Sequence, residues 1–259
     1  MISEKRKNYF ALICALFIAV IVVTVGDSYA IDSPNTSSAF THEIYLTSNS
    51  KLDEFVAGNG TSGLTQESAH IIENFTIHTN TDEYGIFIQN VDRYLIIRNC
   101  SIFATDIAFS EQSGIEIQLS SNIIIENCTV SYHEVGINLL GTHYSTIRNS
   151  TVFHNHEAGI KFLEADHNII DNNIVNQNLG FGIYLKRSNE NTVKNNIIEE
   201  NLDLGIFDKG NENVFENNTC EPATSKPVFS KTWLWVILGV GGAVFFIGGL
   251  MFFVTWRGR

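Results

Sequence analysis

Along the middle of the chain, apolar residues fall on every second position in short runs, and Asn or Gly breaks each run. Ile160 and Phe162 flank Lys161, and Ile170 stands two before Asn172 with Val175 following. A period of two predicts strands, and no i, i+3, i+4 pattern competes with it. The runs themselves recur. A Gly-Ile phrase begins at Gly85, Gly114, Gly136, Gly159, Gly182 and Gly205, in steps of 29, 22, 23, 23 and 23 residues. A second marker, an Asn with Ile, Val or Phe two before it, stands at Asn74, Asn99, Asn127, Asn149, Asn172, Asn195 and Asn217. A fixed period of this length predicts a solenoid. Three short strands per 22–23 residues predict an all-β parallel β-helix of about seven coils, with Gly and Asn expected at left-handed turns between strands.

Stacking at roughly 4.8 Å turns equivalent positions into columns. The residue after each Gly is always Ile, and the residue two before each marker Asn is Ile, Val or Phe, so both columns are expected inside. The marker asparagines themselves are expected to point inward as an amide ladder, with further Asn columns at 168, 191, 213 and at 155, 178, 201. The residue before each marker reads Glu73, Arg98, Glu126, Arg148, Asp171, Lys194, Glu216. Charge sign alternates without a miss, as expected if each outward charge sits between opposite neighbours on adjacent coils.

The flanks divide the chain. Lys5, Arg6 and Lys7 precede an apolar run from Phe10 to Val25 and the exit Ser28-Tyr29-Ala30, which predicts a signal peptide over 1–30, with an uncleaved signal anchor as the alternative. Residues 31–68 are expected to cap the solenoid, which then occupies 69–221, followed by a linker over 222–232. Residues 233–256 carry no charge, have Trp at both rims and are followed by Arg257 and Arg259. That pattern predicts a single membrane-spanning helix with a cytoplasmic tail at 257–259 and the solenoid on the extracytoplasmic side.

Charge narrows the partners. Residues 31–230 hold 26 Asp and Glu against 10 Lys and Arg. A strongly acidic domain argues against nucleic acid. No motif calls for a cofactor, and none is expected.

Several residues carry candidate chemistry. The outward positions two after each Gly are Phe87, Glu116, Asn138, Lys161, Tyr184 and Phe207. Glu116, Lys161, Tyr184 and Phe207 are the candidate ligand-binding set, with Tyr184 and Phe207 on adjacent coils as a platform for a sugar ring. A paired acid/base mechanism lacks its second carboxylate in that column. His133, His154 and His156 fall in the turn before successive Gly phrases and are candidate metal ligands, copper included. His133 also aligns with Asn155 and Asn178, where it serves equally as a ladder donor. Cys100 and Cys128 follow marker asparagines on neighbouring coils, within disulfide range, or stand there as two small buried thiols; Cys220 is expected in the core. Of seven Asn-x-Ser/Thr sequons, the five on marker asparagines are expected to face inward, leaving Asn35 and Asn59 for glycosylation.

The coils resemble the right-handed parallel β-helix repeats of the NosD-like group, and in particular archaeal surface proteins that carry such coils between a signal peptide and a C-terminal anchor. HNIIDNNIVNQN (167–178), NENTVKNNIIEEN (189–201), IIENFTI (71–77) and the repeated Gly-Ile phrase carry the likeness. The resemblance implies a right-handed coil, with functions ranging from copper-site maturation to polysaccharide lyases, hydrolases and epimerases. The expected role is a membrane-anchored surface module that binds glycans or surface proteins. A carbohydrate-active enzyme and a metal-handling protein are the alternatives.

Overall fold

The computed structural model describes residues 39–40, 43–104 and 111–222, together with a short strand pair at 246–247 and 250–251. The expected signal peptide, Asn35 and the expected membrane-spanning helix at 233–256 lie outside the described residues or touch them only at that strand pair. Among the described residues, no helix is long and apolar enough to cross a membrane.

The body is a parallel β-helix of three sheets. The glycine sheet follows the Gly-Ile phrase and has seven strands: Ile44–Leu46, Ile86–Gln89, Ile115–Gln118, Val135–Leu140, Ala158–Leu163, Phe181–Lys186 and Ile206–Lys209. The charge-ladder sheet, also of seven strands, runs from His70–Glu73 to Val214–Glu216 and precedes the marker asparagines. The closing sheet has eight, from Ala39–Phe40 to Thr219–Pro222. Seven strands in a sheet are separated by six turns of the chain.

The register is the one the columns predict. Ile86, Ile115, Ile137, Ile160, Ile183 and Ile206 pair in succession. Ile72, Ile97, Ile125, Ile147, Ile170, Val193 and Phe215 do the same in the charge-ladder sheet. A third inward column comes from the closing sheet: Ile77, Ile102, Val130, Val152, Val175 and Ile198. These three lines fill the interior, and nearly every member above the last coil is inaccessible to water. In the last coil the same columns surface. Phe215 is exposed, and so is Cys220, which was expected in the core and occupies an inward position with no further coil among the described residues.

Two expectations about turns are corrected. The Gly of the phrase does not supply a left-handed turn; among the described glycines, positive φ occurs at Gly60, Gly63 and Gly141. It supplies room. A Cβ on Gly136 would lie 2.3 Å from Val152 Cγ1 and 2.6 Å from the Gly159 carbonyl oxygen, so the closing sheet and the next coil pass too close for any side chain. The left-handed turns belong instead to the marker asparagines, with φ of 51–63°, a conformation Asn tolerates better than most residues. All seven are exposed. The buried ladder is built by the following residue: Cys128 N–H donates to Ser150 Oγ at 3.1 Å, Ser150 to Asn173 Oδ1 at 3.0 Å, Asn173 to Asn196 Oδ1 at 2.8 Å and Asn196 to Asn218 Oδ1 at 3.0 Å. The expected columns at 168, 191, 213 and at 155, 178, 201 are ladders of the same kind, buried up to the half-exposed Asn213. Each side chain takes the corner N–H of the coil before it, which no sheet satisfies.

At the N-terminal end, strands appear before the first marker. Ile44–Leu46 pairs in parallel with Ile86–Gln89, and a seven-residue helix, Asn49–Phe55, packs Leu52 into the end of the core. Ser48 caps it, accepting the Lys51 N–H at 3.2 Å.

Candidate functional site

The outward column of the glycine sheet forms one line of paired residues: Tyr45, Phe87, Glu116, Asn138, Lys161, Tyr184 and Phe207. At a coil rise of roughly 4.8 Å it extends over about 30 Å along the solenoid axis. Aromatic rings occupy both ends. Tyr45 stacks on Phe87 at 4.5 Å between centroids and 9° between planes, with Tyr84 packed at 4.9 Å from Phe87. At the other end Tyr184 and Phe207 stack at 5.3 Å and 23°, and Phe181 joins both, at 5.0 and 4.8 Å. The two rings paired from sequence are thus three in space. Tyr184 is largely covered by its neighbours, while Phe207 and Phe181 are half-buried.

Polar residues fill the centre. Glu116 faces outward on its strand yet is only 4% exposed. Its carboxylate accepts both contacts of Asn138 Nδ2, at 2.9 and 3.1 Å, and one from Gln118 Nε2 at 3.1 Å. Burial raises its pKa above the usual carboxylate range, against the hydrogen bonds of Ser113, Asn138 and Gln118 and the charge of Lys161. Burial likewise raises the Tyr84 phenol, with the nearby Glu116 charge adding to it. Lys161 Nζ sits 2.6 and 2.7 Å from the two oxygens of Glu157 and 5.9 Å from the centre of the Tyr184 ring.

The basic residues gather at one end. Lys186 and Lys209 pair directly in register beside the column, both exposed, and Lys209 Nζ lies 4.8 Å from the Phe207 ring centre. Neither makes a salt bridge among the described residues. Arg187 reaches Glu164 at 3.0 Å. Sequence reasoning missed Tyr45, Tyr84, Glu157, Phe181, Lys186 and Lys209. The Ile-Tyr-Leu alternation at 44–46 was legible, but no Gly-Ile phrase marked it as a coil.

The other candidates do not converge. His133 is fully buried inside the solenoid, where its Nε2 meets Thr79 Oγ1 at 3.0 Å. It occupies the ladder column expected from its alignment, with its backbone N–H donating to Asn155 Oδ1 at 3.1 Å. Thr79 ends the strand Thr76–Thr79, two coils away. Burial lowers the His133 pKa to about 4. His154 has a left-handed backbone and packs against Tyr132 and Phe153, and His156 Nδ1 pairs with Glu134 at 2.9 Å on the surface. No group of three or more His, Cys, Asp or Glu residues suited to a metal occurs among the described residues.

Cys100 and Cys128 form no disulfide and are buried free thiols. Cys128 Sγ donates to the Glu126 carbonyl at 3.4 Å and Cys100 Sγ to Arg98 at 3.3 Å, as Ser150 Oγ does to Arg148. They act as ladder members. The reason for setting aside the sequons at Asn74, Asn99, Asn127, Asn149 and Asn217 also falls, because those amides face solvent. Asn59, preferred from sequence, is exposed but commits its Nδ2 to the Ile71 carbonyl at 2.9 Å.

The family model for the right-handed β-helix region matches residues 55–220. The chain belongs to the right-handed β-helix family. No curated protein sequence matches it. Among solved structures, this β-helix is similar to a D317A mutant of the periplasmic alginate epimerase AlgG, with a TM-score of 0.50 and 18% identity over 58% of this chain and 45% of that one. It is similar also to a Parabacteroides merdae protein provisionally named a glycosyl hydrolase, with a TM-score of 0.50 and 9% identity over 72% and 90% of the two chains. The A-module of the Azotobacter vinelandii mannuronan C-5 epimerase AlgE4 gives a TM-score of 0.47 and 18% identity over 57% and 41%. The chain therefore spans less than half the length of these epimerases, and at such identities the likeness concerns the fold.

Proposed function

We propose that this β-helix is a glycan-binding module whose glycine-sheet face takes an anionic polysaccharide lying along the solenoid axis. The observation that carries the reading is the stacking of Lys186 on Lys209 beside the Phe181, Tyr184 and Phe207 rings. Like charges directly opposite on neighbouring strands are destabilising. The charge-ladder sheet avoids them at every step, and the domain holds few basic residues against many acidic ones. Two unneutralised lysines beside three aromatic rings suit carboxylate or sulfate groups on a sugar chain, with ring faces taking the apolar side of each pyranose. The coil rise of roughly 4.8 Å lets successive sugars meet successive coils. The same reading puts the module outside the cell, held by the apolar segments that flank it in sequence, with other surface glycoconjugates as partners.

Calorimetric titration of the full chain with oligouronates and with neutral oligosaccharides of equal length tests it. Preference for the oligouronates is expected, weakening with salt and falling at least tenfold in Lys186→Glu or Phe207→Ala. Equal affinity for the neutral chains, or no effect of Lys186→Glu, would overturn it.

The buried Glu116, whose pKa burial raises, favours a second reading, a carbohydrate-active enzyme with Glu116 as the acid and Glu157, the partner of Lys161, as a further carboxylate. Under it, Glu116→Gln keeps oligouronate binding and removes the release of reducing or unsaturated ends. No release from the wild-type chain excludes it.

A further inference from the structure

A cavity of about 470 Å³ opens at the corner beyond the glycine sheet, away from the aromatic and lysine end of the column. Its volume is in the range of small-ligand sites. Asn90, Asp92, Leu119, Ser121, Gly141 and His143 line it, with Asn49 of the helix at its rim. The helix is tied there by a reciprocal pair, Asn49 Nδ2 to Asp92 Oδ1 at 2.6 Å and Asp92 N–H to Asn49 Oδ1 at 3.1 Å. That leaves Asp92 Oδ2 and the whole Asn90 side chain without a hydrogen-bond partner among the described residues. His143 Nδ1 accepts the Asp166 N–H at 3.1 Å, which puts the imidazole proton on Nε2.

One wall breaks the rules of the fold. Leu119 has φ 47° and is 61% exposed. The equivalent corner residues on neighbouring coils are Asn90, Gly141, Glu164 and Arg187, all left-handed. Leucine is a poor choice for that backbone and gains little from burial here. Gly141 beneath it keeps the space open, since a Cβ there would lie 2.9 Å from Leu119 Cδ2. On the same side, Tyr144 is left-handed and 64% exposed, stacked on His167 at 5.1 Å and 4°.

We infer that this corner is a binding site for a neutral pyranose, with Leu119 against the apolar face of the ring and Asp92, Asn90, Ser121 and His143 Nε2–H on its hydroxyls. A carboxylate beside adjacent hydroxyls discriminates against uronates and sulfated sugars, so this site differs in ligand from the lysine-bearing end and stands independently of it. Departure from local preference without packing gain is what a site retained for a ligand shows.

The test uses the full chain with labelled histidine rings and methyl glucoside, methyl galactoside and methyl N-acetylglucosaminide as probes. The His143 ring resonances are expected to shift with at least one of them. Leu119→Asn is expected to abolish the shift while the melting temperature holds or rises, because Asn suits the left-handed corner. Asp92→Asn, which retains an oxygen for Asn49, is expected to weaken binding at least tenfold. Oligouronate binding should be unchanged in both variants, and Lys186→Glu should leave the pyranoside shift intact. No shift with any probe, a shift that survives Leu119→Asn, or a lowered melting temperature in that variant would overturn the inference.

Discussion

The ladder position of His133 makes its replacement by Asn a test of the interior. Asn fits the column, as Asn155 and Asn178 show, but it is too short to reach Thr79 two coils away. At pH 7 the variant loses one buried hydrogen bond and gains a small void, together about 1–2 kcal/mol. The sign reverses in acid. The native state holds His133 neutral down to about pH 4, while the unfolded chain protonates it near its ordinary value of 6.5. Between those limits the unfolded state binds the extra proton, so native stability falls as pH falls. Each pH unit in that window takes about 1.4 kcal/mol, roughly 3 kcal/mol in all. The buried Glu116 carboxyl, raised by burial, acts with the opposite sign, and Asp53 is lowered by the hydrogen bonds of His70 and Arg93 despite burial. Both are present in either protein and cancel in the difference. Urea unfolding followed by circular dichroism at several pH values should therefore show the wild type more stable at pH 7 and the His133→Asn chain more stable at pH 4.5. A stability difference independent of pH would refute the placement of a neutral imidazole in the ladder.

Other consequences follow from the columns. Arg148→Glu puts an acid in line between Glu126 and Asp171 and removes the ion pair to Glu126, and should cost about 1 kcal/mol or more. Lys51→Glu, at the exposed pair with Glu54, should cost under about 0.5 kcal/mol, and equal melting temperatures for the two variants would undo the ladder argument. Gly136→Ala forces backbone apart and should cost about 3 kcal/mol or more, whereas Gly205→Ala, whose Cβ meets nothing nearer than 3.3 Å, should cost under about 1 kcal/mol in the same unfolding assay. In a Cys14→Ser chain, a thiol reagent should label Cys220 rapidly and reach Cys100 and Cys128 only on unfolding; rapid labelling of all three would contradict the burial of the pair.

The repeat made most of the fold legible because stacking forces the same requirement on every coil, so a single inward Ile or alternating charge is tested seven times along the chain. The one systematic error came at the marker Asn. Strict alternation from Ile72 inward and Glu73 outward puts Asn74 inward, but its left-handed φ of 63° turns the chain and leaves two consecutive residues outside. A period-two pattern carries no information about phase across such a corner. The signal that marks the true interior was present one residue later, where Cys100, Cys128, Ser150, Asn173, Asn196 and Asn218 form a run of small or amide side chains. The N-terminal coil was illegible for another reason: Ile44–Leu46 pairs with a strand more than 40 residues on, and one isolated run has no period to betray it.

Departures from column rules need sorting by cause before any is assigned to function. His133 departs from the Asn column, and its imidazole reaches Thr79 two coils away in the interior, so an internal contact accounts for it. The buried Cys100 and Cys128 also depart, and their thiols donate to the same carbonyl positions as Ser150. Lys186 on Lys209 and the exposed left-handed Leu119 differ from these. Lys186 and Lys209 set like charges in register even with Lys209 over the Phe207 ring, and Leu119 holds a left-handed backbone while left mostly in solvent. A solenoid offers the choice of a stable residue again at every turn, so an unstable one that brings no packing gain points outward, to a ligand that meets the protein there.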